Sequence, residues 1–200
     1  MVRARSLIDG MVIPHRDFVE LDRSKHYFRV FVPLETNEEA FHSDESGVFQ
    51  MQIGEVWFLD AAINHAAINF GSKSRMFLCL DYIFTKEFQH TDILLSTAKF
   101  EEPRAEYLIT RTPLGDKQRD EIIRGASTII NRRTFKDLVF ALSKYHFIYD
   151  VEVAECYDWI VRAAELDGDQ EVIQKATLLR KYLIEKRDMG ERYIINDWAA

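Results

Sequence analysis

Two hundred residues with 47% hydrophobic content suffice for one sizeable core with a smaller appendage. A net charge of −7 and the lack of any basic run argue against a nucleic-acid or anionic-membrane surface and leave a small molecule or a protein as partner. Cys79 and Cys156 make neither a disulfide framework nor a metal-ligand spacing. No apolar run reaches the roughly 18 residues of a membrane span, and MVRARSL lacks the apolar region of a signal peptide, so a soluble protein of the reducing cytoplasm is expected.

Up to residue 85 the chain reads as short strands broken by turn residues, near 2–8, 11–21, 27–35, 47–52, 55–59, 65–70 and 75–84. Turns fall at Asp9-Gly10, around Asp22 to Lys25, at Gly54 and at Gly71 to Ser74. The polar stretch from Glu35 to Ser46 is the longest turn region, either a solvated loop or a lid. Seven strands so spaced predict a sandwich or jelly roll, not a parallel βαβ sheet. Residues 86–114, with Pro103 and Pro113, read as a connection. From 115 the period becomes helical: Thr134 to Asp137 resembles a capping box, with Leu138, Val139, Leu142 and Tyr145 as the stripe behind it. Val153, Tyr157, Ile160, Val161 and Ala164 form a second stripe that stops at Asp167-Gly168, and Val172, Ile173, Ala176, Leu179 and Leu183 form a third. These helices form a subdomain over 115–200, which offers a face for a homodimer.

Candidate chemistry concentrates between Ile13 and Arg75. If MVIPHRDFVEL is a strand, His15 and Asp17 point to one face and can reach one ion. An imidazole and a carboxylate so placed are two thirds of the 2-His-1-carboxylate triad of non-haem Fe(II) oxygenases, and His65 on a neighbouring strand would complete it. The bland alternative for H-x-D alone is a polar strand edge. Arg75 leads the strand RMFLCLDYI, and such an arginine can hold the far carboxylate of 2-oxoglutarate bidentately. In a hairpin, Arg75 points inward with His65 when Asn69 stands opposite Arg75. Arg29 shares a strand face with Tyr27 and Phe31, and is either stacked at the surface or lining a pocket. Arg3 and Arg5 are candidates for a substrate carboxylate or for a solvated edge. Trp57 is a core residue or a pocket wall, Asp60 a group that orients His65, and His26, His42, His90 and His146 surface or helix-packing residues.

H-x-D, then GEVWFLD, then H-x9-R resembles the aspartyl/asparaginyl β-hydroxylase family of Fe(II)/2-oxoglutarate dioxygenases. Within it, IPHRDFVEL, LETNEEA, FQMQIGEVWFLDA, ALSKYHFIYDVE, CYDWI and IQKATLLRKYLI are similar to the bacterial L-proline cis-4-hydroxylases, so the likeness covers nearly the whole chain. The resemblance implies a double-stranded β-helix (jelly roll, cupin-like) over 1–85 followed by helices. It implies Fe(II) on His15, Asp17 and His65, 2-oxoglutarate and O2 as cosubstrates, Arg75 on the distal carboxylate, and Arg29 helping to hold a carboxylate. No protein acid or base is needed beyond the metal ligands. Arg5, Trp57 and Asn69 are the candidate substrate residues, and the implied substrate is a free L-amino acid, proline foremost. Alternatives are a β-hydroxylase of Asp or Asn residues in a peptide, or a metal-binding jelly roll without turnover. The chain departs from the family twice: Phe31 stands where a histidine commonly lines the cosubstrate site, and family members carry a further segment ahead of H-x-D.

Overall fold

The computed structural model describes residues 1–18, 26–86, 108–188 and 190–198. They form two compact units, one of Met1–Val12, Asp17–Ile63 and Ala67–Ile109, the other of Ile13–Arg16, Asn64–Ala66 and Thr110–Ala200. The expected helical segment began at 115, so the second unit also takes in two short pieces of strand-bearing sequence.

The first unit is built on eight strands: β1 (Val2–Leu7), β2 (Gly10–His15), β3 (His26–Pro33), β4 (Ala40–Asp44), β5 (Gly47–Phe49), β6 (Trp57–Leu59), β7 (His65–Asn69) and β8 (Arg75–Phe84). Two four-stranded sheets result, ordered β1-β8-β3-β6 and β2-β7-β4-β5. This is the strand order of a jelly roll, in which successive strands pass from one sheet to the other except at the β4–β5 hairpin. Register follows the side-chain alternation. Leu7 stands opposite Arg75, Arg5 opposite Phe77, and Arg29 opposite both Leu59 and Asp81, while Phe31 faces Trp57 and Cys79. One face of the first sheet therefore carries Phe31, Leu59, Phe77 and Cys79, which join Phe49 and Met51 in a buried cluster. On the other face Phe28 stacks on Phe58, with ring centroids 4.5 Å apart.

Three strand expectations need correction. The stretch read as a loop or lid from Glu35 to Ser46 contains β4, which pairs with β5 through a tight turn where Asp44 accepts the Ser46 amide at 2.8 Å and Gly47 has φ +149°. Ala40, His42 and Ser43 are buried, so the polar letters here are interior ones. Second, β7 and β8 form no hairpin. They belong to different sheets, and Arg75 stands opposite Leu7 rather than Asn69. The reason is burial: HAAIN is buried at every position, as a central strand requires, so β7 pairs inside the second sheet and the chain turns a corner at 70–74 to enter the first. Third, β2 ends at His15, Asp17 lies beyond it, and residues 19–21 of the predicted strand lie outside the described residues, as does His90.

In the second unit, α1 (Asp116–Ser127), α2 (Phe135–Ser143), α3 (Tyr145–Ile148), α4 (Cys156–Asp167) and α5 (Gln170–Arg180) are joined by two-residue strands β9 (Thr112–Pro113) and β10 (Tyr149–Asp150), and α5 runs into a π turn over Lys181–Glu185. The predicted stripes are interior: Val139, Leu142, Tyr157, Ile160, Ala164, Val172, Ala176 and Leu179 share one core with Trp159. Gly168, left-handed at φ +91°, ends α4 as expected, and Asp169 caps α5 by accepting the amides of Glu171 and Val172 at 2.9 and 3.4 Å. Thr134 forms no capping box; its hydroxyl donates instead to the Ile129 carbonyl at 2.6 Å. No helix among the described residues is long and apolar enough to cross a membrane.

Candidate metal centre

His15 is the last residue of β2. Its Nδ1 lies 2.9 Å from the carbonyl oxygen of Ile13, and a carbonyl only accepts, so Nδ1 carries the proton and Nε2 keeps a lone pair for a metal. His65 opens β7 and is buried at 4% exposure, with its ring centroid 4.3 Å from that of His15. Asp17 follows His15 by two residues, and its amide donates to the Ala61 carbonyl at 2.9 Å. The ligand atoms of His15, Asp17 and His65 all lie within 4.8 Å of one another. The strand geometry expected for H-x-D is not what brings the two together: their side chains converge at a strand end, not along a strand face. Two imidazoles and one carboxylate fit Fe(II) with positions left for other ligands.

Arg29 meets two carboxylates of the protein. Its Nε donates to Asp81 Oδ1 at 2.6 Å and its Nη1 to Asp17 Oδ2. Burial works against the charge on Arg29, yet Asp17 and Asp81 together hold the guanidinium above its usual range. Asp81 in turn is pulled below the usual carboxylate range against the effect of its own burial, by Arg29 and then Arg3. Arg3, Arg29 and Asp81 line a cavity of about 160 Å³ together with Leu59 and Ala61.

Arg75, the first residue of β8, is 7% exposed. Nη1 donates to the Phe41 carbonyl at 3.2 Å, Nη2 lies 3.4 Å from His42 Nδ1, and the guanidinium sits 4.2 Å from the Phe77 ring centroid. Its Nε is buried with no hydrogen-bond partner, and among the described residues no carboxylate pairs with it. Burial pushes its pKa down to about 10, so it is charged at neutral pH with its desolvation uncompensated.

His42 went unrecognised as an interior residue because its neighbours Asn37, Glu38, Glu39, Asp44 and Glu45 made the stretch read as a loop. Alternation of Ala40 and His42 was the available signal. The structure thus supplies a histidine beside Arg75 from β4, while Phe31, where the family pattern has one, packs on His42 and Phe77 at 5.6 and 5.8 Å. The candidate substrate residues fare differently. Asn69 is 1% exposed and fully occupied in the corner: its Nδ2 donates to Leu7 and Lys73 carbonyls at 2.8 and 2.7 Å, and its Oδ1 accepts from Gly71 and Asn37. It has no hydrogen-bonding capacity left for a substrate. Trp57 stacks on Phe49 at 4.9 Å and donates to Glu55 at 2.6 Å, at the edge of the core cluster. Arg5 is exposed on β1, and Arg3 rather than Arg5 reaches Asp81. Asp60 is exposed and accepts the Ala62 amide at 2.9 Å, closing a turn. His146 is buried at 3% and bonds the Val151 carbonyl at 2.8 Å, a helix-packing role, and His26 is partly buried in β3.

Comparison with known proteins bears on the same regions. The family described as L-proline 3-hydroxylase, C-terminal, matches residues 91–191, and the aspartyl/asparaginyl β-hydroxylase family matches residues 4–84. The chain is 40% identical to L-proline cis-3-hydroxylase 2 of Streptomyces sp over 99% of its own length and 68% of that protein. It is 30% identical to L-proline cis-4-hydroxylase of Rhizobium meliloti (strain 1021), over 92% of this chain and 63% of the relative. Identity to the cis-3 enzyme is thus the higher, where the sequence motifs pointed to the cis-4 group. Among solved structures, a predicted oxalate decarboxylase of Thermotoga maritima matches with a TM-score of 0.33 at 20% identity over 42% of this chain and 66% of that one. A salicylate 1,2-dioxygenase of Pseudaminobacter salicylatoxidans matches with a TM-score of 0.31 at 9% identity over 64% and 41%. Strand order, not these scores, carries the jelly-roll assignment. With one family model spanning half of the chain and a relative 40% identical over 99% of this chain and 68% of its own length, this chain belongs to the proline hydroxylase family of non-haem iron, 2-oxoglutarate-dependent dioxygenases.

Proposed function

We propose that this chain hydroxylates free L-proline at C3, with His15, Asp17 and His65 holding Fe(II) and Arg75 with His42 holding the far carboxylate of 2-oxoglutarate. The observation that carries the reading is the three-donor cluster, found in a chain 40% identical over 99% of its length to a proline cis-3-hydroxylase. When bound, the iron supplies the redox chemistry that couples decarboxylation of 2-oxoglutarate with O2 to hydroxylation of a C–H bond.

The protein's own residues bind and orient. His15 presents Nε2 because its Nδ1–H donates to the Ile13 carbonyl. Arg29 holds one oxygen of Asp17, which limits how that carboxylate can turn. Arg75, already buried with an unused Nε, gains an anionic partner without further loss of its own hydration. His42 adds a second polar contact at that end, and Phe77 and Phe31 keep it dry. A cavity of about 160 Å³ lined by two guanidinium groups, Arg3 and Arg29, and two carboxylates, Asp60 and Asp81, suits a small zwitterion better than a peptide.

The test is mass spectrometry of the product from L-proline with Fe(II), 2-oxoglutarate and O2. The expected result is cis-3-hydroxyproline with stoichiometric succinate. Hydroxylation at C4 would move the assignment to the regiochemistry first read from the motifs, and succinate formed only with an Asp- or Asn-containing peptide would overturn the free-amino-acid reading.

A further inference from the structure

The residues that flank His15 are tied down by groups far away in sequence. On its N-terminal side, Pro14 has no amide proton to give to a ladder and its φ is fixed by the ring. The Pro14 carbonyl accepts a hydrogen bond of 2.5 Å from the hydroxyl of Tyr157 on α4. Tyr157 is 1% exposed, and burial pushes its phenol well above the usual range, so the group is a neutral donor. On the C-terminal side, the Arg16 amide donates to the Leu183 carbonyl at 2.9 Å and the Arg16 side chain to the Ile184 carbonyl at 3.4 Å. Both acceptors lie in the π turn, whose wider winding is sealed by the Lys186 amide on the Lys181 carbonyl at 2.8 Å. Arg187, just beyond, donates back to the Arg16 carbonyl at 3.4 Å. Ile13, whose carbonyl sets the His15 tautomer, packs on the helical core. The π turn ends α5, and the next residue, Lys186, is extended.

We propose that Tyr157 is a positioning residue for the metal centre, fixing the peptide before His15 while the π turn fixes the one after it. The inference rests on His15 being a metal ligand. A rotation of the peptide on either side of His15 would swing the imidazole, and each of these two peptides has its own anchor. Helix α4 and the π turn thereby act on His15, which belongs to the same unit, through hydrogen bonds to the backbone on either side of it.

The experiment measures Co(II) affinity by titration of the visible absorption of the apoprotein, with hydrogen exchange at the His15 and Arg16 amides and the melting temperature recorded alongside. Tyr157→Phe should weaken Co(II) binding by about 10-fold, the lower end of the effect of losing a partner that orients a ligand, and should speed exchange at both amides. Val172→Ala, which opens the same helical core without touching Pro14, should lower the melting temperature while leaving Co(II) affinity as in the wild type. Equal Co(II) affinity in Tyr157→Phe and wild type, or equal weakening in Val172→Ala at matched stability loss, would overturn the proposal. If Tyr157→Phe does not fold, Arg187→Met carries the test from the other anchor, with roughly 3-fold weaker binding expected and unchanged binding decisive against it. His15→Ala separates the two levels: wild-type Co(II) affinity there sinks the metal-ligand reading itself, whereas its loss together with an unaffected Tyr157→Phe sinks only the positioning role.

Discussion

The jelly roll and the helical unit bury different kinds of atoms. Within the first, Phe31, Phe49, Leu59 and Phe77 share the interior with His42, Ser43, Asn37, Asn69 and the guanidinium of Arg75, whose Nε has no hydrogen-bond partner. Within the helices of the second, a larger and nearly continuous apolar cluster runs from Leu114 to Leu179, with Ser143 and His146 the buried polar residues among those described from 110 onward. A polar group kept dry costs free energy unless it is satisfied, so the jelly roll sacrifices stability for chemistry and the helices restore it. Substitutions should therefore separate the two regions: in one they remove function and spare the fold, in the other they do the reverse.

The largest effect is expected at the metal ligands. His65→Ala or Asp17→Ala should weaken Fe(II) binding by more than about 100-fold, beyond what loss of an orienting partner costs, with turnover falling in step; dialysed iron content and product formation measure both. Almost as large, but in stability, is Trp159→Ala. A fully buried indole removed from the helical core should cost about 3–5 kcal/mol in a urea titration, and an intact melting transition would break the comparison. Arg75→Met should raise the KM for 2-oxoglutarate by roughly 10- to 100-fold, the worth of one or two charge-assisted hydrogen bonds. Because an uncompensated buried charge is removed, the same variant should melt no lower than wild type; a clear drop would show that Arg75 is held for the fold. The smallest effect belongs to Asp169→Ala, which loses the α5 cap and about 1 kcal/mol and should leave the 2-oxoglutarate KM untouched.

Much of this arrangement was legible in the letters. Glycine and aspartate turns marked most strand ends, the helical stripes ran to Gly168 as the structure has them, and His15, Asp17 and His65 stood out by residue type. What stayed hidden was pairing. Nothing in HAAIN followed by GSKSR tells a hairpin from a corner, because both need a turn and differ only in which partners the strands find. His42 was lost for a related reason: a buried polar residue in an acidic stretch looks the same in sequence as a solvated one. Tyr157 belonged to a helical stripe that was read correctly as core, and no periodicity shows where a phenol's hydroxyl ends. The side-chain amides of Asn37 and Asn69 bond backbone carbonyls far away in sequence, Asn37 those of Lys73 and Ser74, 36 and 37 residues on, and Asn69 that of Leu7, 62 residues back, beyond any local pattern.

The antiparallel ladder from Val2 opposite Leu80 to Leu7 opposite Arg75 also sets an order in time. Its partners lie roughly 70 residues apart, so closing that loop costs chain entropy before any contact of the ladder forms, while the helices draw on neighbours in sequence and need no such closure. Helical signal should therefore appear in the early phase of refolding, and protection of the β1 and β8 amides in the slow one. Arg75 is seated only when that ladder closes. The capacity to hold a dicarboxylate is then the last property the refolding chain acquires, and 2-oxoglutarate added during refolding should accelerate nothing before the slow phase.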